Sequence, residues 1–187
     1  MNKKKLAVLF PGKRYSCELP LLYMANCIYR DSGYEVLNLT YPEMEFDGKP
    51  DEKIYRKIME SVVLQAEEAG INSCADAVFI SKSMGTVAAG ILEEKVKVPV
   101  RHIYLTPLAE TFPYMGAGHR VFAVAQGTKD KWLEPETLLA FCRKEGLRLV
   151  RFEGVGHRLE MPGNMLKSLD NFRTIAELYY EDIAAHN

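Results

Sequence analysis

Short apolar runs alternate along this chain with stretches in which apolar residues recur every three or four positions. The runs at Leu6–Phe10, Glu35–Thr40, Ala77–Ser81, His102–Thr106, Val121–Ala125 and Leu147–Phe152 have the length and residue types of strands. The periodic stretches near Pro20–Arg30, Lys53–Ala69, Met84–Lys95, Glu136–Lys144 and Asn164–Ala185 predict helices. One gap departs from the pattern: Pro107–His119 contains Pro113, Gly116 and Gly118, with weak helical character only around Ala109–Phe112. Alternation of this kind is the signature of βαβ units and predicts an α/β fold with a mostly parallel sheet.

The breaks between elements make chemical sense. Ser32-Gly33, Gly70 with Asn72, and Gly146 follow predicted helices and supply residues that adopt the left-handed backbone of a helix stop. Tyr41–Pro50, with two prolines, a glycine and three acids, reads as a surface loop and not as a linker. No internal repeat or low-complexity tract interrupts the chain, and 187 residues with 48% hydrophobic content suit one domain over residues 1–187.

Charge narrows the function. Lys and Arg number 24 against 25 Asp and Glu, a formal net charge of -1, so no global field draws the protein to nucleic acid or to an acidic membrane. The Lys3-Lys4-Lys5 lead is followed by an apolar stretch that breaks at Pro11-Gly12, too short for a secretory core, and no run approaches a membrane span. The expectation is a soluble, cytoplasmic protein. Cys17, Cys27, Cys74 and Cys142 lack CxxC spacing or a histidine cluster, which predicts free thiols and no metal site.

The strongest chemical signal runs from Ala77 to Leu92: a β-rich run, a turn of small residues at Ser81-Lys82-Ser83-Met84-Gly85, then an Ala-rich helix. A nucleophile at such a turn is thrust beyond the sheet edge, and the tight backbone needs small residues two before and two after it, here Ser81 and Gly85. The N–H of Met84, opening the helix, points where an oxyanion would form. A serine hydroxyl needs a base, and the base needs a carboxylate to fix its tautomer. Asp130 follows the strand at Val121–Ala125, and His157 follows the strand at Leu147–Phe152, so both join Ser83 at the carboxyl edge of the sheet, where ligands bind in such folds. Asp76 lies at the amino end of its strand and Asp170 and Asp182 in the last helix, which removes them as partners. His102, His119 and His186 read as structural or solvated, and Trp132 as packing beside the acid loop or as substrate wall.

Together the Ser81-x-Ser83-x-Gly85 elbow, the Gly127-x-x-Asp130 loop and Gly154-x-Gly156-His157 resemble the α/β-hydrolase superfamily, whose triad has the same Ser, Asp, His order. The resemblance covers essentially the whole chain, without the two leading strands of larger members. It implies a three-layer α/β/α sandwich with a six-stranded sheet in the order 2-1-3-4-5-6. Two positions depart from the usual pattern. Ser81 stands where the first elbow glycine is common, with a hydroxyl free to bond locally. Pro11 replaces the His of the His-Gly pair that feeds the oxyanion loop. By resemblance the second oxyanion N–H belongs to Lys13, Gly12 allows the turn, and Arg14 or Tyr15 lines the acyl side.

The segment after the fourth strand, where relatives insert a cap, is about a dozen residues here, so no full lid is expected, and Phe112, Tyr114 and Met115 are assigned to the substrate wall. These features imply a serine carboxylesterase or thioesterase acting on a small or medium acyl substrate, needing no metal or organic cofactor. An amidase or peptidase would use the same residues, and a non-catalytic binding module on the same fold is the alternative from another class. The serine speaks against the cysteine-dependent dienelactone hydrolases, and the missing cap against haloalkane or epoxide chemistry. Oligomeric state is not encoded in these patterns.

Overall fold

The computed structural model describes residues 4–43 and 45–186; Lys3 of the basic lead lies outside them. Six strands form one sheet: β1 (Lys5–Phe10), β2 (Glu35–Asn38), β3 (Asp76–Lys82), β4 (Val100–Leu105), β5 (Arg120–Gly127) and β6 (Leu149–Phe152). Every pairing is parallel, and the order is β2-β1-β3-β4-β5-β6, as the resemblance implies. The helices are α1 (Pro20–Asp31), α2 (Glu52–Glu68), α3 (Met84–Glu93), α4 (Pro135–Glu145) and α5 (Met165–His186). Predicted boundaries move by at most two residues at either end, and the weak helical stretch becomes a 3-10 segment at Ala109–Tyr114. Gly33, Gly70 and Gly146 take φ values of 84°, 70° and 68° just beyond their helices.

The two faces of the sheet follow from strand alternation. Ala7, Leu9, Val78, Ile80, Ile103 and Leu105 face one layer, covered by α1 and α5. Leu6, Val8, Phe10, Ala77 and Phe79 face the opposite layer, against α2 and α3, and Tyr104 and Val124 meet Leu138 and Cys142 of α4 there. One buried charge network ties the first layer to the sheet. The Arg101 guanidinium on β4 donates to Asp182 of α5 at 2.8 Å, to Asp76 and to the Tyr34 hydroxyl, and the Tyr29 hydroxyl of α1 donates to Asp182 at 2.7 Å. These residues lie away from the carboxyl edge, consistent with the exclusion of Asp76 and Asp182 as site residues. His102 is likewise buried, sharing Glu93 with His119. Among the described residues no helix is long and apolar enough to cross a membrane.

Candidate active site

The passage from β3 to α3 is a sharp elbow. Ser83 sits at φ 58°, ψ -126°, a strained conformation for a residue with a side chain, and its N–H is held by the Leu105 carbonyl at 3.0 Å. Thr86 locks the first turn of α3, bonding the Ser83 carbonyl through both its N–H and its hydroxyl. Gly85 is required by close approach: a Cβ there would lie 2.5 Å from the Pro11 carbonyl oxygen and 2.6 Å from that of Phe10. Ser81 fits its place, but its buried hydroxyl has no hydrogen-bond partner among the described residues, so the local bond open to it in the sequence is not made. Its neighbours in register are Phe10 on β1 and Tyr104 on β4.

Asp130 and His157 come from two loops laced together beyond β5 and β6. The Thr128 N–H bonds the Phe152 carbonyl at 3.0 Å, the Lys129 N–H bonds the Val155 carbonyl at 2.9 Å, and the Gly154 N–H bonds the Thr128 hydroxyl at 2.9 Å. Gly127 makes this possible, because a Cβ there would lie 2.2 Å from the Val155 carbonyl oxygen. The result is a continuous chain of hydrogen bonds. His157 Nε2 is 2.7 Å from Ser83 Oγ, and His157 Nδ1 is 2.8 Å from Asp130 Oδ2. The other Asp130 oxygen accepts the Trp132 N–H at 2.9 Å, which fixes the carboxylate. With Asp130 buried and accepting at Nδ1, the neutral imidazole presents a lone pair at Nε2 to the serine proton. Burial holds the His157 pKa below its ordinary value, the Asp130 bond opposes that shift, and the nearby Lys82 charge reinforces it.

Lys82 is the group the sequence reading passed over. It is 1% exposed; its ammonium donates to the Thr106 hydroxyl at 2.5 Å and to the His157 carbonyl at 2.9 Å, and lies 5.2 Å from the centre of the Tyr15 ring. Burial pushes its pKa down to about 7. Thr106, directly beyond β4, is itself at φ 46°.

A cavity of about 470 Å³ opens over Ser83. Gly12, Lys13, Arg14 and Tyr15 line one side, with Met84 at the floor and Trp132 and Arg158 near His157. The fourth boundary, Phe46–Pro50, arrives from the long surface loop before α2. The N–H groups of Lys13 and Met84 have no acceptor among the described residues, whereas that of Gly12 is used by the Tyr15 carbonyl at 2.9 Å.

Three assigned wall residues are elsewhere. Met115 is fully buried in the α4 layer, Phe112 stacks on Phe141 at 4.3 Å, and Tyr114 occupies the space over Gly90 of α3, where a Cβ would lie 2.2 Å from its ring. The 3-10 segment turns its aromatic side chains down onto helices, so they pack instead of lining the cavity.

No family model and no curated protein matches this chain. Solved structures do. An alpha-beta serine hydrolase homologue from Coxiella burnetii aligns with a TM-score of 0.64 at 12% identity, covering 96% of this chain and 84% of the other. An α/β serine hydrolase without a lid from Xanthomonas campestris aligns at 0.66 and 14%, covering 96% and 82%. Est1E from Butyrivibrio proteoclasticus, solved with ferulic acid bound, aligns at 0.66 and 15%, covering 97% and 90%. The fold is that of the α/β hydrolases.

Proposed function

We propose that the protein is a serine hydrolase that cleaves carboxylic esters or thioesters through an acyl-enzyme on Ser83. The reading rests on one observation above all: Ser83 Oγ, His157 and Asp130 form an unbroken hydrogen-bonded chain at a strained elbow that opens into a cavity. Fold alone would not justify it. In the mechanism, Ser83 Oγ attacks the substrate carbonyl carbon as His157 Nε2 takes its proton, and Asp130 stabilises the imidazolium. The free N–H groups of Met84 and Lys13 are the donors assigned to the oxyanion, the first aided by the α3 dipole. His157 returns the proton to the leaving alcohol or thiol. Water then repeats the sequence, adding its oxygen to the acyl carbon and releasing the acid with Ser83 restored. The ferulic acid held by Est1E is a carboxylic acid, the product class of such a reaction.

The test is labelling with a fluorophosphonate, followed by a panel of ester, thioester and anilide substrates. Wild type is expected to label and Ser83→Ala not to, with esters and thioesters hydrolysed faster than anilides. A folded wild-type protein that neither labels nor turns over an ester would refute the reading and leave a binding module on this fold.

A further inference from the structure

The charge around the cavity is out of proportion to the charge of the chain. The protein as a whole has a formal net charge of -1, yet the cavity is lined by Lys13, Arg14, Lys49, Lys82 and Arg158 against one exposed acid, Asp47. Asp130 lies behind His157 and is committed to it. Two of the five cations are answered locally: Lys49 by Glu110 at 3.5 Å and Arg158 by Glu160 at 3.0 Å. Lys13, Arg14 and Lys82 have no carboxylate within salt-bridge distance among the described residues. Glu18, Glu43 and Glu45 line the adjoining groove that Lys13 and Arg14 share, but none of them pairs with either.

The three unpaired cations are held in different ways. Lys13 is fixed, lying over the Phe46 ring at 3.8 Å and donating to the Phe46 carbonyl. Arg14 is exposed at the mouth, on the same loop as the Lys13 N–H. Lys82 lies beneath, buried beside Ser83, and satisfies only neutral acceptors. A buried ammonium whose hydrogen-bond acceptors are all neutral is costly; the nearby Asp130 charge offsets only part of that cost, and a further anion brought close would favour the charged form. Cations along low-dielectric walls also focus their field into the cleft and concentrate ligands of opposite sign.

From this arrangement we infer that the substrate carries a negative charge close to its scissile carbonyl, and that Arg14, with Lys13 and Lys82 behind it, selects for that charge. The inference rests on the hydrolase reading above and specifies its substrate class. The anion is either a carboxylate on the acyl side or an acidic group on the leaving group, and both meet the same cations.

Matched pairs separate these possibilities and test the claim. For the acyl side, mono-4-nitrophenyl glutarate is compared with its methyl ester. For the leaving-group side, 4-acetoxybenzenesulfonate is compared with 4-acetoxybenzenesulfonamide, each rate divided by that of its alkaline hydrolysis. At low salt the anionic member of at least one pair is expected to have a kcat/KM about tenfold or more above its neutral partner, a modest demand on a Coulomb interaction at partly buried sites. That preference is expected to shrink in 0.5 M NaCl, where screening acts over a few ångströms, and to fall at least about threefold in Arg14→Gln. A ratio near one in both pairs, with the neutral esters still turned over, overturns the charge selection and leaves the hydrolase intact. Failure to hydrolyse any of the four, with no fluorophosphonate labelling, overturns both.

Discussion

Replacing Lys82 with methionine removes a buried charge while keeping a flexible chain of similar length, and its effect on stability has a signature in pH. The ammonium has a pKa of about 7 in the folded protein against an ordinary 10.5. Below pH 7 both folded and unfolded chains hold the proton, and the folded state bears the whole cost of burying the charge. Between 7 and 10.5 the unfolded chain keeps the proton while the folded one releases it, so stability rises with pH across that window. At 1.36 kcal/mol for each pH interval of one, the full rise is about 5 kcal/mol, of which about 2 kcal/mol falls between pH 7 and 9. Lys82→Met lacks this term. At pH 7 its relief from desolvation is offset by the loss of two hydrogen bonds, about 1–3 kcal/mol for each acceptor left unpaired, so the two proteins are expected to be of comparable stability there.

Urea unfolding at pH 7, 8 and 9, followed by far-ultraviolet circular dichroism and by the fluorescence of the single tryptophan, Trp132, measures the difference. Wild type is expected to gain about 2 kcal/mol on Lys82→Met over this range. Cys17 and Cys142, whose thiols burial pushes up to about 12 and about 11, act in the opposite direction above pH 9 but are common to both proteins. Parallel stability curves from pH 7 to 9 would refute the account of Lys82 as a buried cation that releases its proton far more readily than a free lysine.

Further outcomes follow from the same geometry. The acidic limb of kcat/KM is expected to rise through a pH below the ordinary histidine value, because burial favours the neutral base, and to move upward in Lys82→Met, which removes a repelling charge; a limb unmoved by that substitution would contradict the proximity of the two groups. Asp130→Asn is expected to retain the fold by circular dichroism while lowering kcat on the order of 1000-fold or more, since an amide cannot hold the same tautomer. Gly127→Ala forces the acid and histidine loops apart and is expected to lower kcat/KM at least about 100-fold, read alongside the fluorophosphonate labelling rate. Arg101→Met leaves Asp182, which is fully buried, without its cation and is expected to cost about 3–5 kcal/mol in urea unfolding with little change in the KM of surviving protein.

The strand and helix alternation was readable because each element carries its own period, and the site was readable where local chemistry is confined to a few consecutive residues. The elbow needs small residues at Ser81 and Gly85, and that need is visible in the chain itself. The cavity wall obeyed no such local rule. Phe112, Tyr114 and Met115 are apolar residues in a loop, which is equally the description of a pocket lining and of a packed cover; the deciding facts, the bare Gly90 and the facing Phe141, belong to other helices. Phe46–Pro50 reaches the site from a loop more than thirty positions before Ser83, and nothing in its residues states where it lands. Lys82 did carry a signal. It continues the alternation Val78, Ile80, Lys82 on the buried face of β3, where a charged residue calls for an explanation.

The contact between α1 and α5 also bears on how the chain is made. Tyr29 reaches Asp182 and Tyr179 reaches the Leu21 carbonyl, joining α1 to a helix that leaves the ribosome only after all six strands of this sheet have emerged. Until then one whole side of the nascent sheet, with Ile80, Ile103 and Ala123 at its centre, has only α1 to shield it from solvent and from neighbouring chains. Arrival of α5 thus completes the cover of this face, and a ribosome stalled before Met165 would present a sticky, half-covered intermediate for chaperones to hold.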